Sequence, residues 1–134
     1  MTAPMPELVR PMLATLGELP PSSRDGEYAY EMKWDGVRAV LYVGDGRLRV
    51  VSRNDRDVAV SYPELGGVEQ ALSQHQAVLD GEIIALDPST GRVSFGVLQQ
   101  RMHVQDRTRA GRLAERFPVA FLAFDVLFLD GRVT

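Results

Sequence analysis

The eleven residues Val119 to Leu129, VAFLAFDVLFL, contain a single charged side chain, Asp125, and constrain the fold more than any other stretch of the chain. A Val/Leu/Phe-rich run of that length suits a β-strand buried on both faces, which requires a sheet to receive it and material packed on each side. The rest of the sequence supplies strands to match. Val37 to Val43, the turn Gly44-Asp45-Gly46 and Arg47 to Ser52 read as a hairpin, and Tyr28-Ala29-Tyr30-Glu31-Met32 before it is also strand-like. In the first arm Val37, Ala39, Leu41 and Val43 share one face, so Arg38, Val40 and Tyr42 share the other, away from the side that most resembles core. Ala77 to Leu86 reads as further strand carrying Asp80-Gly81-Glu82, with Asp80 taken as a turn residue.

Helical signals are shorter. Pro63 opens a helix predicted to run to about Gln74, with Ser61 as its cap, Leu65, Val68, Glu69 and Leu72 on one face, and Gly66 and Gly67 weakening it. Two more are predicted over Phe95–Arg101 and Asp106–Arg116. Residues 1–26, with Pro4, Pro6, Pro11, Pro20 and Pro21, read as an irregular lead-in anchored by Leu8, Met12, Leu13 and Leu16, and residues 27–134 as the body of the fold. The expected class is α+β, an antiparallel sheet with peripheral helices. At 134 residues the chain is long enough for one real core, and 45% hydrophobic with 25% charged residues is ordinary for a globular fold. No apolar run reaches the roughly 18 residues that span a bilayer, and the amino terminus carries neither a secretory nor a transit pattern, so no membrane partner and a cytoplasmic location are expected. Zero cysteine removes disulfides and thiolate chemistry.

The charge inventory points to chemistry. Net charge is −3, so any nucleic-acid contact has to be local. Of fifteen basic residues fourteen are arginine, and Lys33 is the sole lysine. Only lysine can become the neutral amine that nucleophilic attack requires, because arginine stays protonated to pH ~12 and above. Flanking Met32 and Trp34 would desolvate Lys33 in part and lower its pKa from ~10.4. By spacing alone, a surface lysine beside an Asp-Gly turn fits these residues equally well. His75 and His103 lack any partner spacing for metal ligation and are expected on the surface.

Lys33-Trp34-Asp35-Gly36-Val37-Arg38 resembles the K-x-D-G-x-R signature of covalent nucleotidyltransferases, the superfamily of ATP-dependent DNA ligases, RNA ligases and mRNA capping guanylyltransferases. Ser52-Arg53-Asn54, Leu79-Asp80-Gly81-Glu82 and Phe121 to Gly131 resemble the later motifs, in family order. Arg10-Pro11-Met12-Leu13-Ala14, Tyr30 to Arg38 and Phe95 to Arg101 are similar to the ligase domain of bacterial end-joining ATP-dependent DNA ligases. The resemblance covers about Arg10 to Gly131.

That resemblance implies roles. Lys33 would attack the α-phosphate of ATP, expel pyrophosphate and hold AMP as a phosphoramidate, with Mg²⁺ (or Mn²⁺) assisting the leaving group. Glu31 would contact the adenine amino group, Arg38 and Arg53 the ribose and phosphates, and Glu82 the ribose and a metal cation, while Phe124 would stack on the adenine ring. Trp34 and Asp35 are read as local packing. The family's adenylation domain continues with a motif carrying a metal-binding Glu and another carrying phosphate-holding lysines, then an oligonucleotide-binding domain. None is found before Thr134, so residues 27–134 are expected to be the N-terminal part of an adenylation domain whose partner is nicked or broken duplex DNA. A complementary polypeptide or self-association would complete the sheet. RNA ligase or guanylyltransferase activity, and an inactive nucleotide- or partner-binding fragment, are the alternatives.

Overall fold

The computed structural model describes residues 2–134. Five antiparallel strands form one sheet in the order β2-β1-β3-β4-β5: β1 Val37–Gly44, β2 Arg47–Ser52, β3 Ala77–Ala85, β4 Val119–Leu129 and β5 Arg132–Val133. The α+β expectation is met. β1 and β2 join through a two-residue turn in which Asp45 and Gly46 both have positive φ (53° and 70°), the geometry whose twist matches a hairpin. Three short helices follow: α1 Gly66–Ala71, α2 Phe95–Gln99 and α3 Arg107–Arg116.

Alternation along the strands gives the sheet two different faces. Ala39, Leu41, Val50, Ile83, Ala85 and Val119 bury one face against Tyr62, Leu65, Val97 and Leu98 from the helical segments. Val40, Tyr42, Val51, Val78 and Phe128 form a smaller cluster on the other face, covered by Met5 and Val9. The lead-in is tied there by hydrogen bonds: the Val9 N–H donates to the Tyr42 hydroxyl (2.6 Å), Arg49 donates to the Glu7 carbonyl (2.7 Å), and the Ala3 N–H donates to the Gly131 carbonyl (2.9 Å). Its anchors are thus Met5 and Val9. The expected anchors Leu8, Met12, Leu13 and Leu16 are exposed: Leu8 is outward where its neighbour Val9 packs on the sheet, and residues 12–19 are exposed throughout.

Several sequence expectations are corrected. Tyr28 to Met32 is not a strand but an exposed irregular segment, since no neighbouring strand offers it a ladder. The helix expected over residues 63–74 is a 3₁₀ turn at Pro63–Leu65 leading into α1, which ends at Ala71. Two glycines inside it and the lack of a side-chain cap account for the early stop. Ser61 is no cap: its buried hydroxyl donates to the Val104 carbonyl at 2.7 Å. α3 begins where expected, with Asp106 as N-cap accepting from the Thr108 and Arg109 N–H groups. β4 has the expected span but not the expected burial. Only Val119 and Phe128 are buried along it, because helices cover one face alone and β5 pairs only with Phe128 and Leu129. Among the described residues no helix is long and apolar enough to cross a membrane.

Beneath the helices, Arg101 is fully buried. Its guanidinium donates to both Glu64 carboxylate oxygens (2.7 Å each) and to the Ser61 and Phe117 carbonyls (2.9 and 2.7 Å). Glu64 also accepts from the Val119 N–H at 3.0 Å, so one ion pair joins the 3₁₀ turn, the end of α2, the end of α3 and the start of β4. The residue expected to close a helix instead leaves it and turns inward.

Candidate active site

Two glycines bring the site together by leaving room. A Cβ on Gly36 would run into the Ile83 carbonyl, and one on Gly81 would run into the Leu122 carbonyl and the Phe121 ring. The segment bearing Lys33 can therefore lie against β3 at the head of β1, and β3 can lie close on β4. In the resulting register Arg38 sits directly opposite Glu82, with Asp80 two residues further along β3 on the same face. This is the face that the helices do not cover.

An open cleft of about 470 Å³ lies over it. Lys33, Glu31, Arg38, Glu82 and Phe124 line it together, five of the six binding and catalytic residues expected from the sequence, and Met12-Leu13-Ala14 of the lead-in forms another wall. The signal for that wall in the sequence is the resemblance of Arg10 to Ala14 to the ligase domain, which assigns those residues no role in a site. The sixth residue, Arg53, is exposed and lines a neighbouring cavity of about 110 Å³, which it shares with Arg38. The Arg10–Asp55 ion pair (2.8 Å) stands beside that cavity. Lys33 is exposed, and so are Met32 and Trp34, which corrects the expectation that they desolvate it. The irregular segment touches the body of the fold on one side only.

Asp80 is the residue the sequence reading missed. It is not in a turn but within β3, 4% exposed, and it accepts from Arg38 Nε and Nη2 at 2.8 and 2.6 Å. The alternation of β3 was the available signal, because Asp80 and Glu82 share parity and an Asp inside a strand needs a partner. Arg38 is held on its other side as well, its guanidinium 5.1 Å from the centroid of the Phe124 ring. The hydrogen bond to Asp80 raises the Arg38 pKa further, so the fork is a permanent cation in a fixed orientation. Asp80→Ala is expected to destabilise the fold by roughly 3 kcal/mol, the low end for breaking a buried pair, since Arg38 still reaches solvent. Denaturant unfolding checks this, and a loss under about 1 kcal/mol, the size of an exposed pair, would refute it.

Glu82 is held differently. Burial pushes its carboxyl up, and the Arg38 charge and a Gly36 hydrogen bond oppose that without cancelling it. Among the described residues no group of three or more His, Asp or Glu is placed to hold a metal ion. His75 hydrogen-bonds Asp130 (2.7 Å), and His103 is exposed. Glu82 therefore suits a cation only as one oxygen ligand beside others brought by a phosphate-bearing substrate, the usual situation for Mg²⁺.

Phe124 owes its orientation to a bulge. Asp80 pairs with Asp125 and Gly81 with Ala123, leaving Phe124 as the extra residue of β4. Bulges re-aim side chains, and this ring is 43% exposed over the cleft rather than packed as core. If it provides a stacking platform, Phe124→Ala weakens adenine-nucleotide binding by roughly 1–3 kcal/mol while leaving the fold intact. Calorimetric titration with ATP, alongside a melting curve, measures both. Unfolding in place of lost affinity would show the ring to be core.

A family model described as the ATP dependent DNA ligase domain matches residues 11–134. The multifunctional non-homologous end joining protein LigD of Mycolicibacterium smegmatis is 41% identical over 127 residues, 95% of this chain and 15% of that protein. DNA ligase C of Mycobacterium tuberculosis is 38% identical over 131 residues, 96% of this chain and 34% of its own length. A solved structure of mycobacterial DNA ligase D complexed with ATP and MES superposes with a TM-score of 0.62 at 39% identity, covering 77% of this chain and 30% of the other. The chain thus spans about a third or less of the length of these relatives.

Proposed function

The chain belongs to the ATP-dependent DNA ligase family, and from that premise we propose that its cleft binds ATP and that Lys33 takes AMP from it. This is the first step of sealing a 5′-phosphate to a 3′-hydroxyl in nicked or broken duplex DNA. The observation that carries the reading is the convergence of Lys33, Glu31, Arg38, Glu82 and Phe124 on one cleft from four separate segments.

The Lys33 amine, having given its proton to solvent, attacks the α-phosphorus of ATP. A P–N bond forms, the bond to the bridging oxygen breaks, and pyrophosphate leaves with the electron pair, so the product is a phosphoramidate. Phe124 offers a face for the adenine, and Glu31 an acceptor for its amino group. Arg38, clamped by Asp80 and Phe124, presents what remains of its fork to ribose or phosphate, and Arg53 extends the positive charge beyond it. Glu82 accepts from a ribose hydroxyl or contributes an oxygen ligand to Mg²⁺, which would offset negative charge on the departing phosphates.

The relatives reported above are named as DNA ligases or as an end-joining protein, which favours DNA over RNA or cap chemistry for this chain. Among the described residues the outer edge of β4 from Val119 to Leu127 has no strand partner. We assign that edge to strand addition, by a complementary segment or a second copy, in the assembled ligase. Incubating the chain with α-labelled ATP and Mg²⁺, with the later motifs supplied by a complementary segment, tests the central reading: acid-labile label on Lys33 is expected, slow or absent without that segment, and its absence with the segment and ATP both bound would overturn it.

A further inference from the structure

The longest helix lies away from the cleft and carries arginines that find no carboxylate partner among the described residues. At 100° per residue Arg109, Arg112 and Arg116 of α3 fall within about 60° of one another, forming a single stripe. Ala110 is buried on the opposite side, where the helix packs on the 3₁₀ turns Ala59–Ser61 and Pro63–Leu65. All three arginines are exposed, and among the described residues none forms an ion pair, although acidic residues outnumber basic ones 18 to 15 in the chain. Arg116 lies over the Phe117 ring at 4.9 Å, a contact that places the guanidinium without neutralising it. The nearby carboxylate of Asp106 is engaged by the backbone N–H groups of Thr108 and Arg109.

This arrangement costs stability in two ways. Cations in the first turn oppose the helix dipole, and that turn holds Arg107 and Arg109 with no acidic residue. Like charges at i,i+3 and i,i+4 repel, as Arg109–Arg112 and Arg112–Arg116 do. Arg116 in the last turn and Glu115 at i+3 from Arg112 offset part of this cost, yet among the described residues all three guanidinium groups stay without a carboxylate partner in a chain of net negative charge, which leaves them free for a polyanion outside the fold.

We propose that the Arg109–Arg112–Arg116 stripe is a docking surface for the phosphodiester backbone of duplex DNA. It lies on the helix-covered side of the sheet, away from the cleft, and so gives a sequence-independent contact in addition to the reacting end. The stripe is about 10.5 Å long at 1.5 Å per residue, and with the reach of the arginine side chains each guanidinium can meet a separate phosphate of the backbone. Guanidinium forks suit such oxygens. The identity of the polyanion rests on the ligase reading.

Binding of the full chain to a short intact duplex, followed by fluorescence anisotropy across a salt series, tests the proposal. Replacing all three residues by Gln, which keeps helix propensity, should lower the magnitude of the slope of log K against log salt by roughly 2.7, at ~0.9 per phosphate contact. The triple Lys variant should keep the slope, and both variants should take label from ATP as the parent does. An unchanged slope in the Gln variant, an equal loss in the Lys variant, no salt-dependent binding by the parent, or equally tight binding of polyglutamate each overturn it. A chain that fails to take label with the complementary segment supplied, yet shows the expected slope change, would remove the ligase reading and leave the DNA surface standing.

Discussion

Lys33→Arg and Lys33→Ala are both expected to abolish transfer of AMP to the protein, with no residual label above background. The arginine variant is the more informative. It keeps the charge and nearly the reach of lysine, so it keeps whatever electrostatic contribution Lys33 makes to holding the phosphates. It has no accessible neutral form, so it offers no lone pair to the α-phosphorus. ATP affinity of Lys33→Arg should therefore stay within a few fold of the parent while labelling disappears. No other side chain in the sequence carries an amine. Acid-labile label on either variant would move the nucleophile elsewhere, and a loss of ATP binding equal to the loss of labelling would reduce Lys33 to a binding group.

The second large effect lies far from the cleft. Arg101→Ala should destabilise the domain by roughly 3–5 kcal/mol, because removing one member of a buried pair leaves Glu64 uncompensated and the Ser61 and Phe117 carbonyls without their donor. At roughly 4 °C per kcal/mol for a domain of this size, the melting temperature falls by roughly 12–20 °C. The double variant Arg101→Met/Glu64→Met should recover part of the loss, since no charge is then stranded. It should not recover all, because those two carbonyls and the Val119 N–H stay unpaired.

The same pair gives a pH dependence of defined sign. Burial pushes the Glu64 carboxyl up, but the Arg101 and Val119 hydrogen bonds and the Arg101 charge outweigh it and hold the folded-state pKa below the ordinary 4.5. The stabilisation is therefore fully present above pH 4.5 and is lost as pH falls below it, when the unfolded chain takes up the proton more readily. The melting-temperature gap between the parent and Glu64→Gln should narrow on acidification from pH 7 to pH 3. A gap that holds constant or widens would contradict the assigned ion pair.

Local patterning determined a good deal of this molecule. The spans of β1 to β4, the hairpin turn, Asp106 as the cap of α3 and the turn of Arg38 away from the main core were all legible. Each depends on neighbours two to four positions away: alternation sets a strand face, and a side-chain oxygen caps the N–H groups just after it. The motif residues of the cleft were legible for a related reason, since their chemistry resides in residue type and order. Lys33, Glu31, Arg38, Glu82 and Phe124 do meet.

What only the tertiary structure decided depends on partners remote in sequence. The segment 28–32 has strand-like residues but no strand to pair with, and β4 is apolar but covered on one side only, so neither composition nor length could set its burial. Asp80 looks like a turn residue until β1 places the Arg38 fork against it, 42 positions away in the chain. The Phe124 ring is turned by a bulge that exists only in the register between β3 and β4, and Arg101 leaves its helix because Ser61 and Glu64 from one segment and Phe117 from another converge on it. Periodicity records which way a side chain points along its own strand or helix. Whether a partner, a wall or water waits there is settled by packing, since the energy of a buried charge or an open ring resides in contacts that the chain makes only once it has closed on itself.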